Sequence, residues 1–288
     1  MFYPVKQISV DGIYGLIESK KTPDFHFEGE SHPFWELVYV KEGRVGVSAD
    51  ERIYSLSAGD IIFHKPMEFH RIWSEQETSP MLCILTFEMS GERQKELENL
   101  TLKLNDANKI LLERCINIGH KAFVYNRGRV VVDVADKRLS QEYCNFLEVF
   151  LMTLLLIEEQ EKLPIESSSD SRLFSEIVLF LRDSIDEKLT IEAVADRFFV
   201  SHSRIKKLFS KYSGLGVIGY FNNMKILEAQ KMLRAGMTLS QTAERLGFSN
   251  QFYFSSVFKK ISGLTPSEFK RKEEEKNYTF TQKTLTNK

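Results

Sequence analysis

The 288-residue chain is poor in cysteine and proline, with three and seven residues respectively. Cys83, Cys115 and Cys144 are odd in number, widely spaced and outside any C-x-x-C pair. That excludes a disulfide framework and a zinc knuckle, and it fits a reducing compartment. Long apolar runs are also missing. The longest, Val149 to Ile157 with Thr153 inside it, falls far short of the roughly 20 residues a membrane span needs, and Met1 to Val10 lacks the charged and apolar regions of a secretory signal. These absences predict a cytoplasmic chain with no membrane partner. No P-loop, G-x-S-x-G elbow or H-E-x-x-H helix occurs, so the expectation is a non-enzyme without cofactors. Gly214-Leu-Gly216-Val-Ile-Gly219 does spell G-x-G-x-x-G. It follows a helical pattern rather than a strand and has no acid about twenty residues on, so it reads as a turn between helices.

What is present divides unevenly. At roughly 100 to 200 residues per domain the length predicts two domains. Residues 172–288 hold 20 Lys and Arg against 12 Asp and Glu, whereas residues 1–171 hold 19 against 28. A basic half suits a polyanion, because each neutralised phosphate releases condensed counterions. Leu163 to Ser171 (LPIESSSDS) has no periodicity and reads as a linker. The expected organisation is a first domain over 1–162, with strands over about 10–90 and helices over about 91–162. The linker at 163–171 follows, then a helical domain over 172–272 and a polar tail over 273–288.

From Phe25 to about Phe87, short β-branched and aromatic runs alternate with turns: WELVYV, RVGVSA, RIYSLSAGD, DIIFHKP and MLCILTFE. Strands at this spacing predict a small antiparallel barrel or sandwich. Alternation along WELVYV sends Trp35, Leu37 and Tyr39 to one face and Glu36, Val38 and Val40 to the other, without saying which faces inward. Residues 92–118 approximate helical spacing, with a break around Asn105 to Asn108. Ser140 to Lys162 reads as a helix so apolar that it needs cover on more than one side. That cover is its own barrel, the same helix of a second subunit, or some of both; cover by a second subunit assigns Tyr143, Leu147, Phe150, Leu151 and Leu154 to dimerisation.

From Arg172 onward the period is helical, and the unit repeats. Phe209-Ser-Lys-Tyr-Ser-Gly-Leu215 matches Phe258-Lys-Lys-Ile-Ser-Gly-Leu264 at an offset of 49, and Ala195-Asp-Arg matches Ala243-Glu-Arg at 48. Thr238 to Gln241 and Thr265 to Glu268 are capping boxes. Leu239 to Lys270 places a short helix, a glycine turn and an aromatic, basic second helix in sequence, a density that suits a helix-turn-helix. A helix from about Val217 to Arg234, ending at Gly236, joins the two copies as a rod of roughly 27 Å.

The pattern Ala243, Gly247-Phe248, Asn250, Tyr253-Phe254, Phe258-Lys259-Lys260, Gly263-x-Thr265-Pro266 and Phe269 resembles the C-terminal signature of AraC/XylS-type transcription regulators. The first copy is similar through Leu189, Ala195, Ser201, Leu208-Phe209, Gly214, Tyr220, Ala229 and Leu233. There are departures: Lys225 stands where arginine is usual, Gly216 stands where Ser or Thr is frequent, and the first turn lacks a counterpart of Gly247. The strand-rich stretch is similar to the cupin barrel through His32, Glu36, Gly43, Gly59-Asp60, Pro66 and His70. Metal-binding cupins use a His-x-His pair, a Glu and a later His; here the pair is broken at His32-Pro33-Phe34, and the expectation is polar groups at the barrel mouth without a metal.

The resemblance implies a two-domain α+β fold: an N-terminal cupin-like antiparallel β-barrel with helices, and a C-terminal all-α tandem helix-turn-helix. It implies double-stranded DNA as partner, with contacts from Ser201, His202, Ser203, Arg204, Lys206 and Lys207 in the first unit. In the second they come from Asn250, Gln251, Phe252, Ser255, Ser256, Lys259 and Lys260. It further implies a small-molecule effector, a sugar or other metabolite, in a pocket with His32, Trp35, Glu36 and His70. A homodimer is implied as well, and RNA polymerase is the partner of an activator. A metal-dependent cupin enzyme with an accessory DNA-binding domain is the alternative.

Overall fold

The computed structural model describes residues 5–126, 130–156, 163–165 and 168–272. The expected polar tail at 273–288, the end of the expected 140–162 helix and part of the linker lie outside the described residues. The chain forms two compact units, Met1–Ser171 and Arg172–Lys288.

The first unit holds β1 (Ser9–Lys20), β2 (Trp35–Glu42), β3 (Arg44–Ala49), β4 (Arg52–Ser57), β5 (Asp60–His64), β6 (His70–Ser74) and β7 (Met81–Ser90). There follow β8 (Thr101–Lys103), α1 (Asp106–Ala122), β9 (Phe123–Asn126), β10 (Val130–Val134) and α2 (Lys137–Leu154). Two antiparallel sheets result, ordered β8-β5-β2-β7-β1-β10-β9 and β4-β3-β6. Both faces of β2 are buried, which is why WELVYV reads as a nearly continuous apolar run. Trp35, Leu37 and Tyr39 join Phe63, Leu85 and Phe87 in a core with Leu112 of α1 and Leu147 of α2. Val38 and Val40 join Val45, Val47, Leu56, Ile62 and Ile72 of the other core.

This division corrects two expectations. Trp35 points to the core that holds the helices, on the opposite face of β2 from Glu36, so it does not share a pocket with Glu36 and His70. Tyr143, Leu147, Phe150, Leu151 and Leu154 are fully buried in the chain's own core. Their apolar surface is already satisfied by α1 and the large sheet, and none is left for a second subunit. Val149 and Leu156 of the same apolar stretch are exposed. Thr101–Lys103 also departs from the helical reading of 92–118: it is a strand that pairs with Asp60 to Ile62 of β5. The paired strands β9 and β10 stand where the sequence predicts helices, whereas the long β1, which carries Gly12 and Gly15, lies within the expected strand region.

The second unit consists of α3 (Ser169–Asp183), α4 (Ile191–Phe198), α5 (His202–Ser213), α6 (Val217–Arg234), α7 (Leu239–Arg245) and α8 (Gln251–Ser262), with a last helical stretch at 266–272. The repeat is reproduced atom for atom at the helix ends. Gly214 and Gly263 both close their helices in the left-handed conformation, at φ 69° and 74°. Ser213 Oγ donates to the Phe209 carbonyl at 2.7 Å, and Ser262 Oγ to the Phe258 carbonyl at 2.8 Å. The missing glycine of the first turn is replaced by Phe199, held at φ 53° and 94% exposed, while Gly247 takes φ 64° in the second. Both capping boxes form, at Thr238–Gln241 and at Thr265–Glu268. Phe174, Phe209, Tyr212 and Tyr220 pack ring against ring around the first unit. Ile226, Ala229, Leu246, Phe254, Phe258 and Phe269 form the core of the second. Helix α6 therefore lends one end to each core. Each fully buried Leu or Phe here contributes about 1.5–3 kcal/mol.

Candidate functional site

Two arrangements stand out, one in each unit. In the helical unit, α5 turns Ile205, Leu208 and Phe209 inward and leaves His202, Ser203, Arg204, Lys206 and Lys207 exposed. Helix α8 does the same: Phe254 and Phe258 are buried, Gln251, Phe252, Ser256, Lys259 and Lys260 are exposed, and Ser255 is half-buried. Spacing of roughly 3.6 residues per turn explains the division, since the buried set recurs every three or four residues. Phe252, at 88% exposure, is an unusually bare aromatic.

Ser201 and Asn250 serve a different purpose from their neighbours. Ser201 Oγ accepts from the Arg204 N–H at 3.2 Å, and Asn250 Oδ1 from the Tyr253 N–H at 2.8 Å. These caps set where each helix begins and occupy the acceptor of the side chain. Neither helix has an acidic residue in its first turn, so the positive end of each dipole is open to an anion. The offset of 49 pairs Lys206 and Lys207 of α5 with Ser255 and Ser256 of α8. The outward face of α5 is thus cationic. That of α8 is aromatic and hydroxylic, with its lysines confined to the last turn.

In the sheet unit, His32, Glu36 and His70 come together, and they are joined by Glu30, His64 and Glu68. Residue 30 lies directly beside 70, with paired N–H···O bonds of 3.0 Å in each direction. His32 Nδ1 faces the Phe34 carbonyl at 3.0 Å and Nε2 faces Glu36 Oε2 at 3.3 Å. His70 Nδ1 faces the Glu68 carbonyl at 3.1 Å, and its Nε2 stands 3.5 Å from Glu36 Oε1. A carbonyl accepts only, so each Nδ1 carries a hydrogen and each Nε2 is turned towards one carboxylate. Burial pushes the His70 and His64 imidazoles down to about 4, which leaves them neutral. Burial is also the largest single effect on His32 and works against its charge, but the bond and charge of Glu36, the charge of Glu30 and the Phe34 carbonyl together outweigh it and raise the group. Burial works against a charge on Glu36, but the surrounding imidazoles outweigh it and draw the group down to about 2. Glu36 is therefore an ionised carboxylate that faces His32 through one oxygen, while the neutral His70 aims a lone pair at the other.

That opposed pair is chemically incomplete. A cation, or a donor from a ligand, placed among these atoms would satisfy both. Glu30, His32, Glu36 and His70 each offer a ligand atom, all within 4.8 Å of one another, and two imidazoles with two carboxylates suit Zn²⁺, Mn²⁺ or Fe²⁺. Glu30 carries no signal in the sequence, because its proximity arises from the segment before β2 lying along β6; Glu68 enters from the turn between β5 and β6, against His64. In the helical unit, Lys225 was legible only as a departure from pattern.

Comparison with known proteins bears on both arrangements. The profile described as "Helix-turn-helix domain" matches residues 194–272, spanning α5 to α8. The profile described as "AraC-like ligand binding domain" matches residues 13–104, which include the His32–Glu36–His70 cluster. The chain is 27% identical over 255 residues to the uncharacterized HTH-type transcriptional regulator YfiF of Bacillus subtilis, covering 83% of this chain and 77% of that protein. It is 23% identical to the HTH-type transcriptional activator RhaR of Cronobacter sakazakii, over 87% of this chain and 89% of that one. It is 31% identical over 138 residues to the arabinose operon regulatory protein of Escherichia coli, covering 46% and 47%.

Proposed function

Because this chain belongs to the AraC/XylS-type transcription regulators, we propose that it reads a two-part DNA site with α5 and α8 and adjusts that reading to a small effector held at the Glu30–His32–Glu36–His70 cluster. The observation that carries the DNA reading is the repetition itself: the same capped helix occurs twice, with an outward polar face each time. Lys206 and Lys207 suit phosphate or guanine O6 and N7, Gln251 suits adenine, and Phe252 suits a thymine methyl. Selection of duplexes from a randomised pool by the intact chain tests this. The expected sites have two specified segments about 10 bp apart, one helical turn; enrichment of a single segment overturns it.

The effector reading is supported by the unpaired His70 Nε2 and the four convergent donors. Regulation requires the effector to bind one state of the protein better than another, so it acts by shifting a population. A thermal-shift panel of sugars, small metabolites and divalent ions should yield a ligand whose effect is lost in His70→Ala; no shift with any member refutes the assignment. In an activator, RNA polymerase is the further partner. A homodimer would use a surface other than the buried face of α2, and sedimentation of the intact chain reads its presence. The four-donor cluster favours one second reading, a metal-dependent enzyme, which predicts turnover that depends on the added ion and on His70.

A further inference from the structure

Lys225, midway along α6, is 4% exposed. Its Nζ donates to the Glu187 carbonyl at 2.6 Å and to the Leu246 carbonyl at 2.7 Å. It also lies 4.6 Å from the ring centre of Phe221 and 5.3 Å from that of Phe248. Glu187 belongs to the connection from α3 to α4, which leads into the first helix-turn-helix. Leu246 caps α7 in the turn that aims α8. One side chain therefore ties the entrance of the first unit to the turn of the second.

The same two segments also touch through their backbones. Gly247 sits at φ +64°, and a Cβ there would stand 1.8 Å from the Asp186 carbonyl oxygen. Apolar packing does not close this seam by itself: a cleft of about 230 Å³ lies beside Lys225, lined among others by Lys188, Asn222, Ser249 and Tyr253. Burying an ammonium is unfavourable unless its hydrogens find acceptors. Here it gains two carbonyls, one from each side of the seam. A residue that only filled space would not need a charge in this place.

We infer that Lys225 is a positioning residue for DNA recognition, fixing the angle and spacing between α5 and α8 and hence the register in which one chain engages two successive grooves. The inference rests on the two-part reading proposed above. Two linked readers bind with an effective concentration set by how well their geometry matches the site. Loosening the seam leaves each reader intact and weakens only their joint binding.

The test uses a two-segment duplex recovered from the randomised pool by the wild-type chain, versions with either segment scrambled, and versions with one or two base pairs inserted between segments. Lys225→Met should lose about tenfold in affinity for the intact duplex, keep its affinity for each scrambled duplex, and discriminate less against the insertions. Lys225→Arg should restore both properties, and Gly247→Ala, which pries the same seam apart through Asp186, should reproduce the methionine variant. Unchanged affinity and spacer discrimination in Lys225→Met overturns the inference. So does a parallel fall on all duplexes together with the thermal transition, which marks a role in stability alone. If the wild type recovers only single-segment duplexes, the two-part reading itself fails and the inference falls with it, an outcome visible before any variant is made.

Discussion

Replacing Lys206 and Lys207 together by alanine tests the division of labour between the two reading helices. Both side chains are exposed on α5, and alanine is a strong helix former, so the helix and its buried Ile205, Leu208 and Phe209 should persist. The equivalent positions on α8 are Ser255 and Ser256, which carry no charge. For duplex DNA the slope of log affinity against log salt is about −0.9 per phosphate contact. Losing two contacts should therefore flatten the slope by about 1.8 and cost about 30-fold in affinity near 0.15 M salt, relative to a 1 M reference. Fluorescence anisotropy of a labelled duplex across a potassium chloride series reads both quantities. The paired control, Ser255→Ala with Ser256→Ala, should leave the slope alone and alter only which sequences are preferred. A double lysine variant with the wild-type slope would refute the assignment of these side chains to phosphate.

Other outcomes are expected from the packing and the charges. Leu147→Ala should destabilise the sheet unit by about 2–5 kcal/mol in urea melts, whereas a dimer contact would instead change the sedimentation coefficient with the melt unmoved. Gly46→Ala would place a Cβ 2.1 Å from the Trp73 ring, so the indole must swing outward. The expected cost is about 1–3 kcal/mol, with a red shift in tryptophan emission, and an unshifted spectrum would count against the contact. Burial draws the Lys225 ammonium down to about 8, against the opposing pull of Asp186 and Glu187, below its unfolded value of about 10.4. Between those values the unfolded chain binds more protons than the folded one, so this residue's contribution to stability rises with pH across that window. The wild type should therefore gain relative to Lys225→Met between pH 8 and pH 10 in parallel urea melts, and a constant difference would contradict the burial.

Much of this protein is legible from its sequence because the features concerned are local. A helix cap, a glycine in the left-handed region and a repeat at a fixed offset depend on residues within a few positions of one another. Val217–Arg234 is a helix with Gly236 beyond it for that reason, and the outward set on α5 and α8 follows from which positions the 3.6-residue period leaves over. The family resemblance rests on the same residues and is confirmed by matches to both units.

The tertiary structure decided what depends on distant partners. Alternation along β2 separates Trp35 from Glu36, but both faces of that strand are buried, and only the position of α1 and α2 assigns Trp35 to one core and Glu36 to the other. The apolar face of α2 fits an internal or an external partner equally well by composition; the sheet beneath it makes the contact internal. Glu30 joins His32, Glu36 and His70 because a segment with no regular pattern runs beside β6. Lys225 reads as an ordinary substitution until Glu187 and Leu246 are seen to converge on it. Secondary structure and the reading surfaces follow from periods along the chain, while pockets and seams follow from which surfaces close on which, a choice made by packing among residues that the chain itself keeps far apart.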